Sequence, residues 1–327
     1  MTKKLRVTIK DVARVAGVTP QTVSRAFRNA EDINKETQER ILQIASEMGY
    51  VQNASARSLR NGSSKLIAII YDNIMNSYFS IITYYLQDYL RGKGYSILSI
   101  SVTDNVLKER DYLTALEHNA EGVISFLQAD ESIARLINTY RVPVLVMGRR
   151  SEDEGVDSVY VDDVEVGKIA ARRFIEKGCK NPLCISEAMD ITCAYDRCLG
   201  FKEEFKGVGR EVRLIARERL GEDLPLEELL LQAYKSNPPD AIFCFNDIFA
   251  FQALYVIEKH GLKIPLIIGV DNIQQEIFLP KRLTTVGWDK RKLAQISANA
   301  ILSRISGSEE KLFSVKEEVF LVEGVTA

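Results

Sequence analysis

From Lys65 onward the chain repeats one rhythm: a short apolar run, a turn, an amphipathic stretch, then another apolar run. Leu66–Tyr71, Tyr95–Ser101, Gly122–Phe126 and Val142–Met147 are strand-like, and Tyr78–Arg91, Leu107–Asn119 and Glu131–Tyr140 carry helical periodicity between them. Strands that are apolar throughout are covered on both faces, and strands separated by helices pair in parallel. The rhythm restarts at Leu183–Ser186 and runs through Val212–Ala216, Ala241–Phe245 and Leu266–Val270. No Gly/Pro/Ser-rich linker parts the two series. Asp162–Lys177 predicts a helix carrying the chain from one lobe to the other. Thr284–Val286 and a helix from about Asp289 to Ile305 predict the return, with a Phe313–Leu321 strand near the boundary. The pattern specifies two doubly wound parallel-sheet lobes, and a ligand site in the cleft outside the carboxyl ends of their strands.

The segment ahead of these lobes has a different grammar. In TIKDVARVAGVTPQTVSRAFRN (8–29), Thr8 and Asp11 form a capping pair for a first helix to about Ala16, and Gly17 permits a tight turn. Thr19 then caps a second helix with Pro20 at its first position. Val12, Ala13, Val15, Val18, Val23 and Ala26 are the expected buried set, leaving Gln21, Thr22, Ser24 and Arg25 on the open face. Gln pairs with adenine and Arg with guanine through two hydrogen bonds each, while Ser and Thr reach phosphates. A solvated helical hairpin would show the same spacing, but residues 1–30 carry seven Lys and Arg against Asp11 alone. Pattern and charge together predict a helix-turn-helix with its second helix in a major groove. A third helix follows over Ile33–Gly49: Asn34 caps it, Ile41, Leu42, Ile44, Ala45 and Met48 face inward, and Gly49 ends it.

Residues 52–62, QNASARSLRNG, hold one or two turns of small residues capped by Asn53 and ending in Leu59 and Arg60. Such a piece is too short to be a stable helix alone. A leucine beside an arginine suits a minor-groove wedge, although a plain linker fits the same composition.

TIKDVARVAGVTPQTVSRAFRN, INKETQERILQIASEMGY and NASARSLR, in this order and spacing, resemble the headpiece and hinge helix of the LacI/GalR family of transcription repressors. The resemblance extends through the core. It implies an all-α helix-turn-helix headpiece at 1–50, a hinge helix and linker at 51–64, and a periplasmic-binding-protein-like α/β core at 65–327. The first lobe is expected at about 65–162 plus 288–306, and the second at about 163–287 plus 307–327. It also implies DNA contacts from Thr8, Thr19, Pro20, Gln21, Thr22, Ser24, Arg25, Asn53, Ala56, Leu59 and Arg60, with Leu59 prying open the central operator step. Pro20 brings no polar group, so Gln21 and Arg25 should dominate base reading.

Charge agrees with that division. Residues 1–64 carry 11 Lys and Arg against 6 Asp and Glu, while the remainder is net −7 within an overall −2. A basic head on an acidic body meets nucleic acid with the head alone. There is no N-terminal apolar run and no 18-residue apolar stretch, which points to a cytoplasmic protein without signal peptide or membrane span. The five cysteines include no C-x-x-C pair and only two histidines accompany them, so packed thiols are expected, with no metal or cofactor.

Polar groups cluster where predicted strands end: Asp72-Asn73, Gly148-Arg149-Arg150, Asp162-Asp163, Asn246-Asp247 and Asp271-Asn272. Singly, Asp162, Asn246 and Asp271 read equally well as helix caps, and Tyr78 and Phe79 as core aromatics. The family resemblance implies effector contacts from Asn73, Tyr78, Phe79, Arg149, Asp162, Arg197, Asp247 and Asp271, Arg197 and Asp271 foremost, while Asp247 is also readable as structural. Trp288, the sole tryptophan, stands where the family commonly has glutamine; it either stacks on the effector or plugs the lobe boundary. The last strand lacks the family's usual arginine. The sequence thus predicts a homodimeric repressor on pseudo-palindromic operator DNA, controlled by a sugar or sugar derivative, or alternatively co-repressed by a purine or nucleoside. It carries no G-x-S-x-G, Walker-type or H-E-x-x-H motif that would favour a sugar-processing enzyme, and a solute-binding protein would need an export signal.

Overall fold

The Thr8–Asp11 pair closes the first turn of α1 (Ile9–Ala16): Asp11 Oδ2 accepts the Thr8 amide at 2.9 Å, and Thr8 Oγ1 accepts the Asp11 amide. This computed structural model describes residues 7–28, 30, 33–51, 62–104, 106–151, 155–217, 225–279, 281–308 and 313–327. Gly17 is left-handed (φ 65°), as a tight exit from α1 demands. Thr19 Oγ1 accepts the Thr22 amide to start α2 (Pro20–Ala26), and Asn34 caps α3 (Lys35–Glu47). Gln38 Nε2 donates to the Ala26 carbonyl, satisfying an acceptor that the end of α2 leaves open.

Val12, Ala13, Ala16, Val23, Ala26, Ile41 and Ala45 form the core of this three-helix unit. Two expected core residues depart from it. Val15 is 55% exposed and Leu42 is also exposed, each one position outside the stripe that faces its neighbours. Ser24 departs the other way: it is buried, because it adjoins the Val23–Phe27 side of α2 and not the open face.

The chain divides between Ser64 and Lys65 into two units. In the second, one six-stranded sheet runs β13 (Ser314–Glu317), β7 (Asp157–Val161), β6 (Val144–Met147), β4 (Gly122–Ser125), β1 (Leu66–Tyr71), β2 (Ser96–Ser101), all parallel. The other runs β14 (Phe320–Val322), β12 (Thr284–Gly287), β11 (Leu266–Val270), β10 (Ala241–Cys244), β8 (Pro182–Ser186), β9 (Arg213–Ala216), with only β14 antiparallel. A two-residue pair, β3 (Val106–Leu107) with β5 (Gln128–Ala129), is additional.

Helices α4 (Ser77–Gly92), α5 (Glu109–Glu117), α6 (Ile133–Tyr140), α7 (Asp163–Glu176), α8 (Thr192–Gly207), α9 (Leu226–Ser236), α10 (Asp247–Lys259) and α11 (Lys290–Ser306) complete the lobes. The central strands are buried on both faces, as the unbroken apolar runs require.

Three features differ from the sequence expectation. Asp157–Val161 is a strand whose end the sequence marks with Asp162-Asp163 but whose body no apolar run announces. The single strand expected at Phe313–Leu321 is two, because the chain crosses between the sheets at Glu318–Val319. Residues 307–327 therefore do not belong wholly to the second lobe, since β13 completes the first sheet. α11 packs on α4 and the first sheet, so the lobes are joined after β7, after β12 and after β13.

Two glycines set one contact that matters below. α7 and α8 cross so closely that a Cβ at Gly167 would lie 2.0 Å from the Arg197 carbonyl oxygen, and one at Gly200 would lie 1.9 Å from that of Val164. This crossing brings the start of α7 against Arg197.

Candidate functional site

In the helical unit, Pro20, Gln21 and Arg25 are exposed along α2 and Thr22 is half-buried. The Thr19 and Thr22 hydroxyls lie 2.9 Å apart at its N-terminus, where hydroxyls suit phosphate oxygens. Thr8 is exposed at the corresponding end of α1. Ser24 is turned inward and does not share this face. Asn53, Ala56, Leu59 and Arg60 lie outside the described residues.

In the α/β unit, strands of both sheets end at one cavity of about 680 Å³. Asp72 and Asn73 enter it after β1, Phe126 after β4, Gly148 and Arg149 after β6, Phe245 and Asn246 after β10, Asp271 after β11 and Trp288 after β12. Helix starts add Tyr78, Phe79 and Arg197.

Arg197 anchors one wall. Its Nε donates to Asp163 Oδ1 and its Nη1 to the Phe245 carbonyl, both at 2.7 Å, and its guanidinium lies 4.9 Å from the Phe245 ring centre. Burial works against the cation, but the Asp163 carboxylate outweighs it and holds the pKa above its ordinary value. The floor is aromatic: Tyr78 meets Trp288 edge-on with ring centres 5.7 Å apart, and Phe79 lies 5.0 Å from Phe126.

Several polar atoms here are left without partners among the described residues. Asp72 Oδ1, the Tyr78 hydroxyl and Trp288 Nε1 are buried and unbonded. The Asp271 carboxylate likewise receives no hydrogen bond, and burial, aided by Asp247 and opposed by Arg197, pushes its pKa up to about 8. Its backbone is itself unusual for a non-glycine residue, with φ at 98°. Burial also raises the Tyr78 phenol, which stays protonated. Buried polar groups normally have partners, so two acceptors, a phenol and an indole N–H facing one cavity define what an occupant must supply.

Two expected contacts sit elsewhere. Asp247 is buried beneath the cavity, accepting Thr285 Oγ1 at 2.6 Å and the Ile273 amide at 2.9 Å; burial lifts its pKa to about 7. One oxygen holds the loop that follows Asp271 and the other holds β12 beside it, the structural role open to it in the sequence. Asp162 caps α7 through the Glu165 amide and pairs with Lys316 at 3.0 Å, lining a neighbouring cavity of about 930 Å³. It is Asp163, one residue on and facing α8, that meets Arg197. Asn73 borders the cavity, but its Oδ1 already accepts the Met75 amide. Phe126, Glu187 and Arg217 also line it and were not anticipated. Each follows a strand, so the strand-end rule, applied to β4, β8 and β9 as well, finds them.

Known proteins match both parts of the chain. The family model described as "Periplasmic binding proteins and sugar binding domain of LacI family" matches residues 63–322, and "Bacterial regulatory proteins, lacI family" matches residues 8–53. The chain is 27% identical over 330 residues to the HTH-type transcriptional repressor PurR of Photobacterium profundum, covering 97% of this chain and 98% of that protein. Among solved structures, the Lac repressor dimer bound to operator and the anti-inducer ONPF superposes with a TM-score of 0.80 at 21% identity, covering 98% of this chain and 99% of that one. The CelR–cellobiose complex gives 0.67 at 21% identity, with 98% and 100% coverage.

Proposed function

Because this chain belongs to the LacI family of bacterial regulatory proteins, we propose that it is a sequence-specific repressor whose hold on operator DNA is set by a polyhydroxylated small molecule bound between its lobes. The observation that carries the effector class is the set of unpartnered atoms in the cleft. Hydroxyl groups donate to the Asp72 and Asp271 carboxylates and accept from Trp288 Nε1 and the Tyr78 hydroxyl. The Tyr78, Phe126 and Trp288 rings offer apolar faces to the carbon face of a sugar. Asp72 and Tyr78 belong to one lobe, while Asp271 follows a strand of the other, so an occupant bonded to both favours one lobe arrangement. A ligand shifts such an equilibrium only by its differential affinity for the two states.

The protein works as a dimer on a pseudo-palindromic operator in the cytoplasm, and it turns over no substrate. Among the described residues no helix is long and apolar enough to cross a membrane, and no group of three His, Cys, Asp or Glu side chains is placed to hold a metal.

The full-length PurR likeness favours a second occupant, a purine, whose ring nitrogens would meet the same donors and acceptors. Thermal-shift measurements against sugars, sugar phosphates, nucleosides and purine bases separate the two. We expect neutral sugars to raise the melting temperature of wild type and not of Asp271→Asn. A purine base doing so while all sugars fail overturns the polyol assignment.

On the DNA side, Arg25→Ala is expected to weaken the preferred operator by about 1–3 kcal/mol and to relax preference at one base per half-site. Equal loss on scrambled DNA would assign Arg25 to phosphate.

A further inference from the structure

Lys290 is placed where local rules disfavour it. It opens α11 next to the cap residue Asp289, at the positive end of the helix dipole, and its side chain is 1% exposed. A buried ammonium there must be held by acceptors. Its Nζ donates to the carbonyls of Asp271 at 3.0 Å and Asn272 at 2.9 Å, and lies 3.2 Å from Glu276 Oε2, an ion-pair distance without hydrogen-bond geometry. Asp271 and Asn272 are consecutive positive-φ residues (98° and 49°), and a β-carbon at Gly287 would lie 2.7 Å from Asn272 Cβ. Such a backbone persists only where its surroundings over-determine it. Glu276 in turn accepts the Tyr85 hydroxyl through Oε1 at 3.0 Å, and Tyr85 belongs to α4, whose first turn supplies Tyr78 and Phe79 to the cleft.

We infer that Lys290 is the positioning residue of the cleft: it fixes the Asp271–Asn272 turn so that the Asp271 carboxylate faces the cavity, and through Glu276 and Tyr85 ties that turn to the opposite lobe. From the first turn of the helix that crosses between the lobes, the cation holds the two carbonyls that follow β11, so the element that presents Asp271 and the connection between lobes are one cluster. An occupant bonded to Asp271 therefore acts directly on a contact between lobes. The functional meaning of this cluster rests on the cavity being the effector site, but the cluster itself can be tested without any ligand.

Trp288, the sole tryptophan, lies two residues before Lys290 and lines the cavity. Acrylamide quenching of its fluorescence in the ligand-free full-length protein therefore reports on this turn, while far-UV circular dichroism melting reports on the whole fold. Lys290→Met and Tyr85→Phe are expected each to raise the quenching constant about twofold or more through local opening, with melting still cooperative. Lys292→Met, two residues on and paired with Glu317, should leave quenching at the wild-type value. Wild-type quenching in either Lys290→Met or Tyr85→Phe, or an equal rise in Lys292→Met, overturns the assignment. If Lys290→Met does not fold, Tyr85→Phe alone decides by the same criterion. Failure of every compound in the thermal-shift series would remove the effector assignment and leave this result standing.

Discussion

Arg197→Met is expected to cost about 3–5 kcal/mol of folding stability, because it removes one half of a buried ion pair. Both side chains of the Arg197–Asp163 pair are 7% exposed. Methionine replaces the aliphatic stem but leaves the Asp163 carboxylate without its cation and the Phe245 carbonyl without its donor. Burial then raises the Asp163 pKa with nothing to oppose it from Arg197. A carboxyl whose folded pKa lies above its unfolded value loses stability as pH rises between the two, so the defect should deepen with pH and ease on acidification. Urea denaturation across that range measures it. Arg197→Met/Asp163→Asn should recover part of the loss, since the uncompensated charge is then gone. Ligand response should disappear in the single variant, while operator binding by the helical unit, which contains neither residue, should persist. A loss below about 1 kcal/mol at neutral pH would mean that the pair is hydrated and contributes as an exposed pair does.

What the sequence discloses about this molecule is what is encoded over a few neighbouring residues. The Thr8–Asp11 box, Gly17 and Thr19-Pro20 are local devices, and each appears where its pattern says. Apolar runs such as Leu66–Tyr71 declare buried strands because nothing but a covered parallel sheet accommodates them. Sheet membership is not local. Nothing in Phe313–Leu321 marks the crossing at Glu318–Val319 that sends its two halves to different sheets.

The same distinction governs the cleft. Arg197, Asp271 and Tyr78 follow from counting to the ends of strands and the starts of helices. Whether Asp162 or Asp163 meets Arg197 depends on helical phase at an N-terminus, where a cap side chain folds back onto its own helix and its successor faces the neighbour. Ser24 misleads for a related reason: a hydroxyl on a short helix reads as solvent-facing, yet it is small enough to fit the packed side. Lys290 is hidden most completely, because a lysine in the first turn of a helix reads as exposed until its two carbonyl partners are seen.

Asp271→Asn is expected to stabilise the ligand-free protein while abolishing its response to effector. The carboxyl is buried, accepts no hydrogen bond among the described residues, and has its pKa raised to about 8 chiefly by burial. Its unfolded value is about 3.9, so between roughly pH 4 and pH 8 the folded state binds the proton more tightly than the unfolded state does. Stability must then fall as pH rises through this window, with a limiting slope of about 1.4 kcal/mol per pH unit for the one group. Asp247, raised to about 7, adds a slope of the same sign and keeps it in the variant. Asparagine preserves the shape and one acceptor but cannot ionise, so the variant should gain on wild type steadily from about pH 5 to pH 8. Effector binding reverses the balance in wild type: hydroxyl donors favour the ionised carboxylate, so affinity should rise with pH below about 8 and binding should release a proton. In Asp271→Asn the charge-assisted bond is gone and affinity should drop about tenfold or more, the exchange of stability for function expected where a buried charge is kept for a ligand. Chemical denaturation of both proteins at several pH values gives the two slopes. Parallel slopes would show that Asp271 titrates as an ordinary carboxylate and is not held for an occupant of the cleft.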